Sequence, residues 1–298
     1  MLANSRVLSQ DFELITPQSL DEVLSMLADS GQDASLLFGG TDLLVQMKMG
    51  KKNPGRVINC QWLPELRGVR ATESTFDIGA GTPLEVVASH AALTREFPAL
   101  NEAILSIAGP AIRRMGTIGG NVVNASPAAD SVVALVAHRA QFRLESRQGE
   151  RLVPADQFFV GPGLTVKRPD EVLTQVILPR YKGSRSVGHF RKVGRVAGDI
   201  AKLSVVVSVQ RSDLGAATWQ VAMGSVAPTP LILLEVEQVL NRTARMAQRA
   251  GADIRHMVES SIHPIDDVRS TAWYRRRVSG VIVSDLWRQV WEEFEGAR

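Results

Sequence analysis

Two short segments hold the residues best suited to gripping an anion. Phe38-Gly39-Gly40-Thr41-Asp42-Leu43 and Thr117-Ile118-Gly119-Gly120-Asn121 each set a glycine pair beside a hydroxyl side chain. Without a Cβ, glycine lets backbone N–H groups come close to a charged oxygen. Thr41 and Thr117 add hydroxyl donors, and Asn121 adds an amide. One such pair reads as a turn. Two of matching chemistry, each beside an apolar run, fit a diphosphate held from two sides.

The common alternatives for binding a nucleotide are missing. No GxxxxGK[ST] occurs, and Gly79-Ala80-Gly81 starts a dinucleotide fingerprint that Leu84 breaks at the third glycine. Gly161-Pro162-Gly163 lacks an N–H at its proline and reads as a tight turn. His90, His138, His189, His256 and His263 are scattered, with no HxxxH spacing. A single cysteine, Cys60, excludes a disulfide within the chain and any cluster or zinc held by thiolates alone. No nucleophile–base pair stands out, so neither catalytic nor metal-ligating residues are assigned, and the chemistry falls to a bound cofactor.

The elements that must position these segments follow from periodicity. Leu20, Val23, Leu24 and Leu27 mark an amphipathic helix over 19–30, with Ser19 and Glu22 as a capping box and Gly31 as its stop. Leu36-Leu37-Phe38 and Val57 to Asn59 read as short strands, so the chain opens as a βαβ-like unit. A strand at 76–81 runs into Thr82-Pro83-Leu84-Glu85, where Thr82 should cap a helix that Pro83 begins and Glu85 supports. A helix over 99–107, a glycine-rich loop at 116–121, a hairpin over 141–153 and a strand at 171–178 follow. Beyond Pro179 the pattern changes to alternating strands at 187–193, 201–210 and 218–226, then helices at 231–240, 244–260 and 269–294. The expectation is a mixed α/β, α+β protein with units at 1–60, 61–178 and 179–298.

Composition is that of a globular chain: 298 residues, 45% hydrophobic, with a formal charge of only +3. Basic and acidic residues interleave, which argues against a nucleic-acid partner. Arg275-Arg276-Arg277, beside Trp273 and Tyr274, reads as a solvated helix face, with a docking surface as the alternative. Met1 to Gln10 lacks a signal-like apolar core, and no apolar run approaches the ~20 residues of a membrane span. A cytoplasmic protein without a membrane partner is expected. Cys60 ends the apolar segment 56–60 and reads as a small core residue.

Several motifs, in order, resemble the FAD subunits of the xanthine dehydrogenase and carbon monoxide dehydrogenase family of molybdenum hydroxylases. They are Phe38 to Lys48, Pro64-Glu65-Leu66-Arg67-Gly68, Thr117 to Asn121 with Ala125-Ser126-Pro127 and Asp130, and Phe158 to Gly163. Asp199-Ile200-Ala201, Asp267-Val268-Arg269 and Tyr274-Arg275-Arg276 complete the set. The resemblance implies a two-subdomain FAD-binding fold of the vanillyl-alcohol-oxidase/CO-dehydrogenase flavoprotein type, plus a C-terminal α+β domain with an antiparallel sheet and helices. It implies that Leu36, Leu37, Phe38, Gly39, Gly40, Thr41, Asp42 and Leu43 wrap the FAD diphosphate, and that Thr117, Ile118, Gly119, Gly120 and Asn121 clamp it from the other side. Asp130 would accept from a sugar or ribityl hydroxyl; read alone, its competing reading is a helix N-cap before Val132 and Val133. Ile107 would lie against adenine and Leu173 near the isoalloxazine, though each alone reads as core. Lys192, favoured over Arg191, would sit near the flavin ring.

The implied partners are an iron–sulfur small subunit and a molybdopterin large subunit, with NAD as one possible electron acceptor. His138-Arg139 departs from the family pattern, and the cysteine-rich insertion of some relatives is absent. A stand-alone FAD-dependent oxidoreductase and a non-enzymatic binding protein remain as alternatives.

Overall fold

The computed structural model describes residues 8, 10–30, 33–181, 185–211, 217–243 and 251–296. The first sheet is parallel, in the order β1-β3-β2, formed by β1 (Glu13–Ile15), β2 (Ala34–Leu37) and β3 (Arg56–Asn59). Helix α1 (Leu20–Ser30) joins β1 to β2, and α2 (Leu43–Lys48) joins β2 to β3. The capping box forms with a shifted partner. Ser19 Oγ accepts from Glu22 N at 3.3 Å, but the Glu22 carboxylate accepts from Gln18 N at 2.8 Å. Gly31, the expected helix stop, lies outside the described residues. Cys60 is fully buried, and burial pushes its thiol up to about 12.

The second sheet is antiparallel, ordered β4-β5-β10-β6-β7, from β4 (Val69–Ala71), β5 (Thr75–Gly79), β6 (Gln141–Ser146), β7 (Gly149–Pro154) and β10 (Val172–Pro179). Between β5 and β6 run α3 (Leu84–Ser89), α4 (Ala91–Glu96), α5 (Pro98–Leu105), α6 (Pro110–Met115), α7 (Ile118–Val123) and α8 (Asp130–Ala137). After β7 come α9 (Ala155–Phe158) and a hairpin of β8 (Phe159–Gly161) and β9 (Leu164–Thr165), turning at Pro162-Gly163 with Gly163 at φ 72°. The expected Thr82 cap does not form. Thr82 Oγ1 is spent on Gly68, accepting from its N–H at 2.9 Å and donating to its carbonyl at 3.1 Å, and α3 starts two residues later.

The third sheet is β11 (Arg185–Val193), β12 (Leu203–Arg211), β13 (Ala217–Gly224) and β14 (Leu231–Ile232), covered by α10 (Leu234–Thr243), α11 (Gly251–Ser261) and α12 (Ala272–Gly296). Residues 231–232, expected to begin a helix, extend the sheet instead through Ala222 and Met223. Of the helix expected over 244–260, residues 244–250 lie outside the described residues. Arg275 is not on a solvated face. It is buried, with Nη2 2.7 Å from Asp267 and Nη1 donating to Ile265 O, while Arg276 and Arg277 are exposed.

Strand β12 explains how the sheets join. Leu203, Val205, Val207 and Val209 face the C-terminal helices. The other face, Ser204, Val206, Ser208 and Gln210, alternates as a solvated face should, yet is buried. Val206 and Ala222 belong to the core of the second sheet. In that seam Gln220 bonds His138 Nδ1 at 3.0 Å, the Ser208 hydroxyl at 3.2 Å and the Tyr181 hydroxyl at 3.1 Å. Buried polar groups need such partners. His138 is enclosed, and burial lowers its pKa to about 4.

His189 ties β11 to two helices. Nδ1 lies 2.8 Å from Glu102 of α5, and Nε2 lies 2.9 Å from Glu293 of α12. The Glu102 bond, then Glu293, outweigh partial burial and raise its pKa to about 9. The unfolded value is about 6.5. A raised folded pKa stabilises fully below the unfolded value, and the gain disappears as pH climbs through the folded one. The melting-temperature gap between wild type and His189→Gln should therefore be widest near pH 6 and close by about pH 10. A gap that stays constant over that range sinks the assignment.

Candidate functional site

A cavity of about 660 Å³ opens where the first two sheets meet. That size falls in the range of pockets for small organic ligands, roughly 300–1,000 Å³. The turn between β2 and α2 forms part of its wall. Gly40 adopts φ 67°, a left-handed conformation suited to glycine. Among the described residues, the N–H groups of Gly39, Gly40, Thr41 and Asp42 have no hydrogen-bond acceptor. Four successive open donors at a cavity wall form an anion-binding concavity.

The second glycine pair works differently from the sequence expectation of a loop with open amides. Gly119 and Gly120 lie in the first turn of α7. Ile118 N donates to Thr82 O, Gly119 N to Ala80 O, Gly120 N to Thr117 Oγ1 and Asn121 N to Thr117 O, at 2.9–3.0 Å. All four amides are thus consumed by the fold. What faces the cavity is side-chain chemistry. Asn121 Oδ1 accepts from Ser131 Oγ at 2.6 Å, which fixes the amide and leaves its NH₂ as a donor. Thr117 Oγ1 accepts at its cap and keeps its own hydrogen to give.

Glycine is required here chiefly for close packing. A Cβ on Gly39 would lie 1.9 Å from Met115 O, and one on Gly119 would lie 2.5 Å from the Ala80 Cβ. A Cβ on Gly116 would stand 3.3 Å from Thr41 Oγ1, so the two segments are direct neighbours. Open amides on one side and fixed amide and hydroxyl donors on the other give the donor set a diphosphate needs.

The cavity is also lined by Leu36, Phe38, Leu43, Ile107 and Leu173. Leu37 and Ile118 are not in its wall. Leu37 packs beneath Gly40, and Ile118 is fully buried in the core. Asp130 and Lys192 lie behind the wall, paired at 2.7 Å, and Lys192 Nζ also donates to Ser106 O at 2.7 Å. Asp130 is not an N-cap, since α8 begins with it and Ala129 holds the cap position. Burial raises the Asp130 pKa against the opposing pull of Lys192, and its Oδ1 has no partner among the described residues. Arg191 points the other way, donating to Gln289 at 3.0 Å.

Lys52 and Lys167 line the cavity without having been singled out in the sequence, and Ile200, quoted only within the Asp199-Ile200-Ala201 motif and given no role, lines it too. Lys167 Nζ donates to the carbonyls of Arg168 and Glu171 at 2.8 and 2.9 Å, and burial lowers its pKa. Its loop is held by Glu171, which is fully buried and takes Arg151 on both oxygens, at 2.6 and 2.9 Å. Nothing in Val166-Lys167-Arg168 distinguishes this lysine from a surface charge; only the long-range Arg151 pairing turns it inward. The titratable groups in the lining are Asp42, Lys52 and Lys167. Among the described residues, no group of three or more His, Cys, Asp or Glu could hold a metal, and no helix is long and apolar enough to cross a membrane.

Fold and site together define a non-Rossmann protein with a cavity suited to a diphosphate-bearing ligand, and sequence comparison gives its family. Residues 10–181 match the family model described as the FAD binding domain in molybdopterin dehydrogenase, and residues 188–290 match the CO dehydrogenase flavoprotein C-terminal domain. The carbon monoxide dehydrogenase medium chain of Hydrogenophaga pseudoflava is 33% identical over 94% of this chain and 97% of its own length. The glyceraldehyde dehydrogenase medium chain of Sulfolobus acidocaldarius is 32% identical over 94% and 98%. A solved structure of the Hydrogenophaga pseudoflava carbon monoxide dehydrogenase superposes with a TM-score of 0.89 at 32% identity, covering 96% of this chain and 98% of that one. The chain belongs to the FAD-binding medium subunits of the carbon monoxide and xanthine dehydrogenase family of molybdenum hydroxylases.

Proposed function

We propose that this subunit passes electrons from iron–sulfur clusters in a small partner subunit to an acceptor such as NAD, while a large molybdopterin subunit hydroxylates the substrate. Bound FAD supplies the ability to take electrons singly and release them as a pair. The observation that carries the reading is the row of open amides at Gly39 to Asp42, which lines one cavity together with Asn121. The medium-chain relatives, named as parts of dehydrogenases with more than one chain, support the partners.

The chain's own residues bind and orient. The 39–42 amides, the Thr117 hydroxyl and the Asn121 NH₂ would hold the diphosphate by hydrogen bonds. The resemblance puts adenine at Ile107 and the flavin ring near Lys192, yet Lys192 donates to Ser106 O, one residue from Ile107. We assign the ring to that wall, where Ile200 is half exposed and an acceptor can approach. Adenine then takes the wall of Leu36, Lys167 and Leu173, although the resemblance sets Leu173 near the isoalloxazine. A stand-alone flavoenzyme would need an acid–base pair in the lining. Lys167 there is engaged by two carbonyls, and exposed Asp42 accepts from the Gln46 amide.

Asn121→Asp tests the cofactor site. The carboxylate still accepts from Ser131, but it replaces a donor by an anion facing phosphate. FAD affinity should fall by about a hundredfold or more. Titration giving the wild-type dissociation constant would remove Asn121 from the site. The acceptor is tested by reducing the purified complex without oxygen and adding NAD⁺, a quinone or dioxygen. Flavin that stays reduced with NAD⁺ but reoxidises with another acceptor rules NAD out.

A further inference from the structure

Four consecutive carbonyl oxygens, at residues 105–108, are each taken by a buried cation. Arg113 Nη1 is shared among Leu105 O at 3.1 Å, Ile107 O at 3.1 Å and Ala108 O at 3.2 Å, and Lys192 Nζ takes Ser106 O at 2.7 Å. Arg113 is 8% exposed, and its Nε donates to Glu85 Oε2 at 3.1 Å. The segment it holds is strained: Ala108 has φ 44°, a left-handed conformation that costs an L-residue energy unless its surroundings enforce it. Ile107 and Ala108 are also cavity wall. Gly198, at φ 79°, comes so close to this turn that a Cβ there would lie 3.2 Å from Ala108 O.

We infer that Arg113 is a positioning residue for the cofactor. It holds the left-handed 105–108 turn so that Ile107 and Ala108 present a wall already shaped for FAD, while the guanidinium itself stays behind that wall. A planar guanidinium with donors on several edges can serve Glu85 and converging carbonyls together; an ammonium cannot. The inference rests on the cavity being the FAD site. A preformed wall raises affinity because the turn is not ordered at the expense of binding energy.

The test uses the full chain in the assembly in which it is purified, stripped of flavin and titrated with FAD. Arg113→Lys should bind FAD about tenfold to a hundredfold more weakly and shift the absorption envelope of the bound flavin. The melting temperature of the flavin-free protein should stay near that of wild type. Adding Ala108→Gly should restore part of the affinity, because glycine adopts the left-handed turn unaided. A folded Arg113→Lys variant with wild-type affinity and envelope overturns the inference. So does one whose affinity and flavin-free stability fall together without rescue by glycine, since Arg113 would then serve folding alone. If Arg113→Lys does not fold, Glu85→Gln carries the test: several-fold weaker binding supports the inference, and unchanged binding overturns it. Failure of the wild-type protein to take up FAD would instead refute the reading of the cavity.

Discussion

Gly39→Ala should release the flavin and loosen the fold at the same time. The new Cβ would lie 1.9 Å from Met115 O, 2.6 Å from Met115 C and 2.8 Å from Gly116 Cα. All three are backbone atoms, so no rotamer change relieves the clash. The 38–43 turn must shift away from the segment that leads into Thr117 and Asn121. Overpacking of this kind costs about 1–3 kcal/mol, and more where backbone must move. The cost to binding is larger, because the open amides of residues 39–42 and the Asn121 amide must converge on one group. A displacement of about 1 Å in such an arrangement can cost a hundredfold. Gly120→Ala is the matched control. Its Cβ would meet only Thr117 Oγ1, at 3.0 Å, so it disturbs one side-chain donor and leaves the 39–42 amides in place. We expect flavin per chain after desalting to be near zero for Gly39→Ala and largely kept for Gly120→Ala. Equal retention in the two would show that the close approach at Gly39 does not set the site.

The sequence marked the two glycine segments because glycine next to threonine is a local signal, and the structure puts both on one cavity. It could not tell what each glycine is for. Gly119 reads like a phosphate-cradling residue, yet its N–H is bound to Ala80 O and its missing Cβ makes room for Ala80. That distinction depends on β5 and α7 meeting across about 40 residues of sequence, and no local pattern encodes it. The strands were legible for the same reason the glycines were: apolar alternation is local. Their exposure was not. Alternation marks β12 as a strand but does not say which faces are covered; its serines form the inner seam because β12 carries cover on both sides. Short helices such as α6 and α7, six residues each, escape periodicity because they complete fewer than two turns. Lys167 and Arg113 were hidden more deeply. Each is an ordinary charge until Glu171 or the 105–108 carbonyls turn it inward.

Lys192→Met should destabilise the protein strongly, and more so as pH rises. Lys192 is the cation bonded to Asp130, and both side chains are about nine-tenths buried. Removing one partner of a buried pair leaves an uncompensated charge and typically costs about 3–5 kcal/mol. Asp130 would keep the Ser106 hydroxyl at 3.2 Å on Oδ2, while Oδ1 has no partner among the described residues even in the wild type. Burial already raises its pKa, and losing Lys192 removes the two influences that oppose the rise most. A carboxyl whose folded pKa lies above its unfolded value favours the protonated folded state. Stability is therefore retained below the unfolded pKa of about 3.9 and lost as pH climbs toward the folded value. Asp130→Asn alone should also destabilise, since it strands the ammonium. The double variant carries no buried charge at this point and should recover most of the loss, the signature of direct coupling. Urea midpoints for the three variants between about pH 5 and pH 8 measure the effect. A Lys192→Met midpoint that is flat with pH and close to wild type would mean that water or another group already compensates Asp130. The double variant also separates two roles. Stability regained without flavin binding would give Lys192 or Asp130 a task at the cofactor. Recovery of both would leave Lys192 as the counter-charge of Asp130, and the ring wall would then depend on the turn at 105–108 alone.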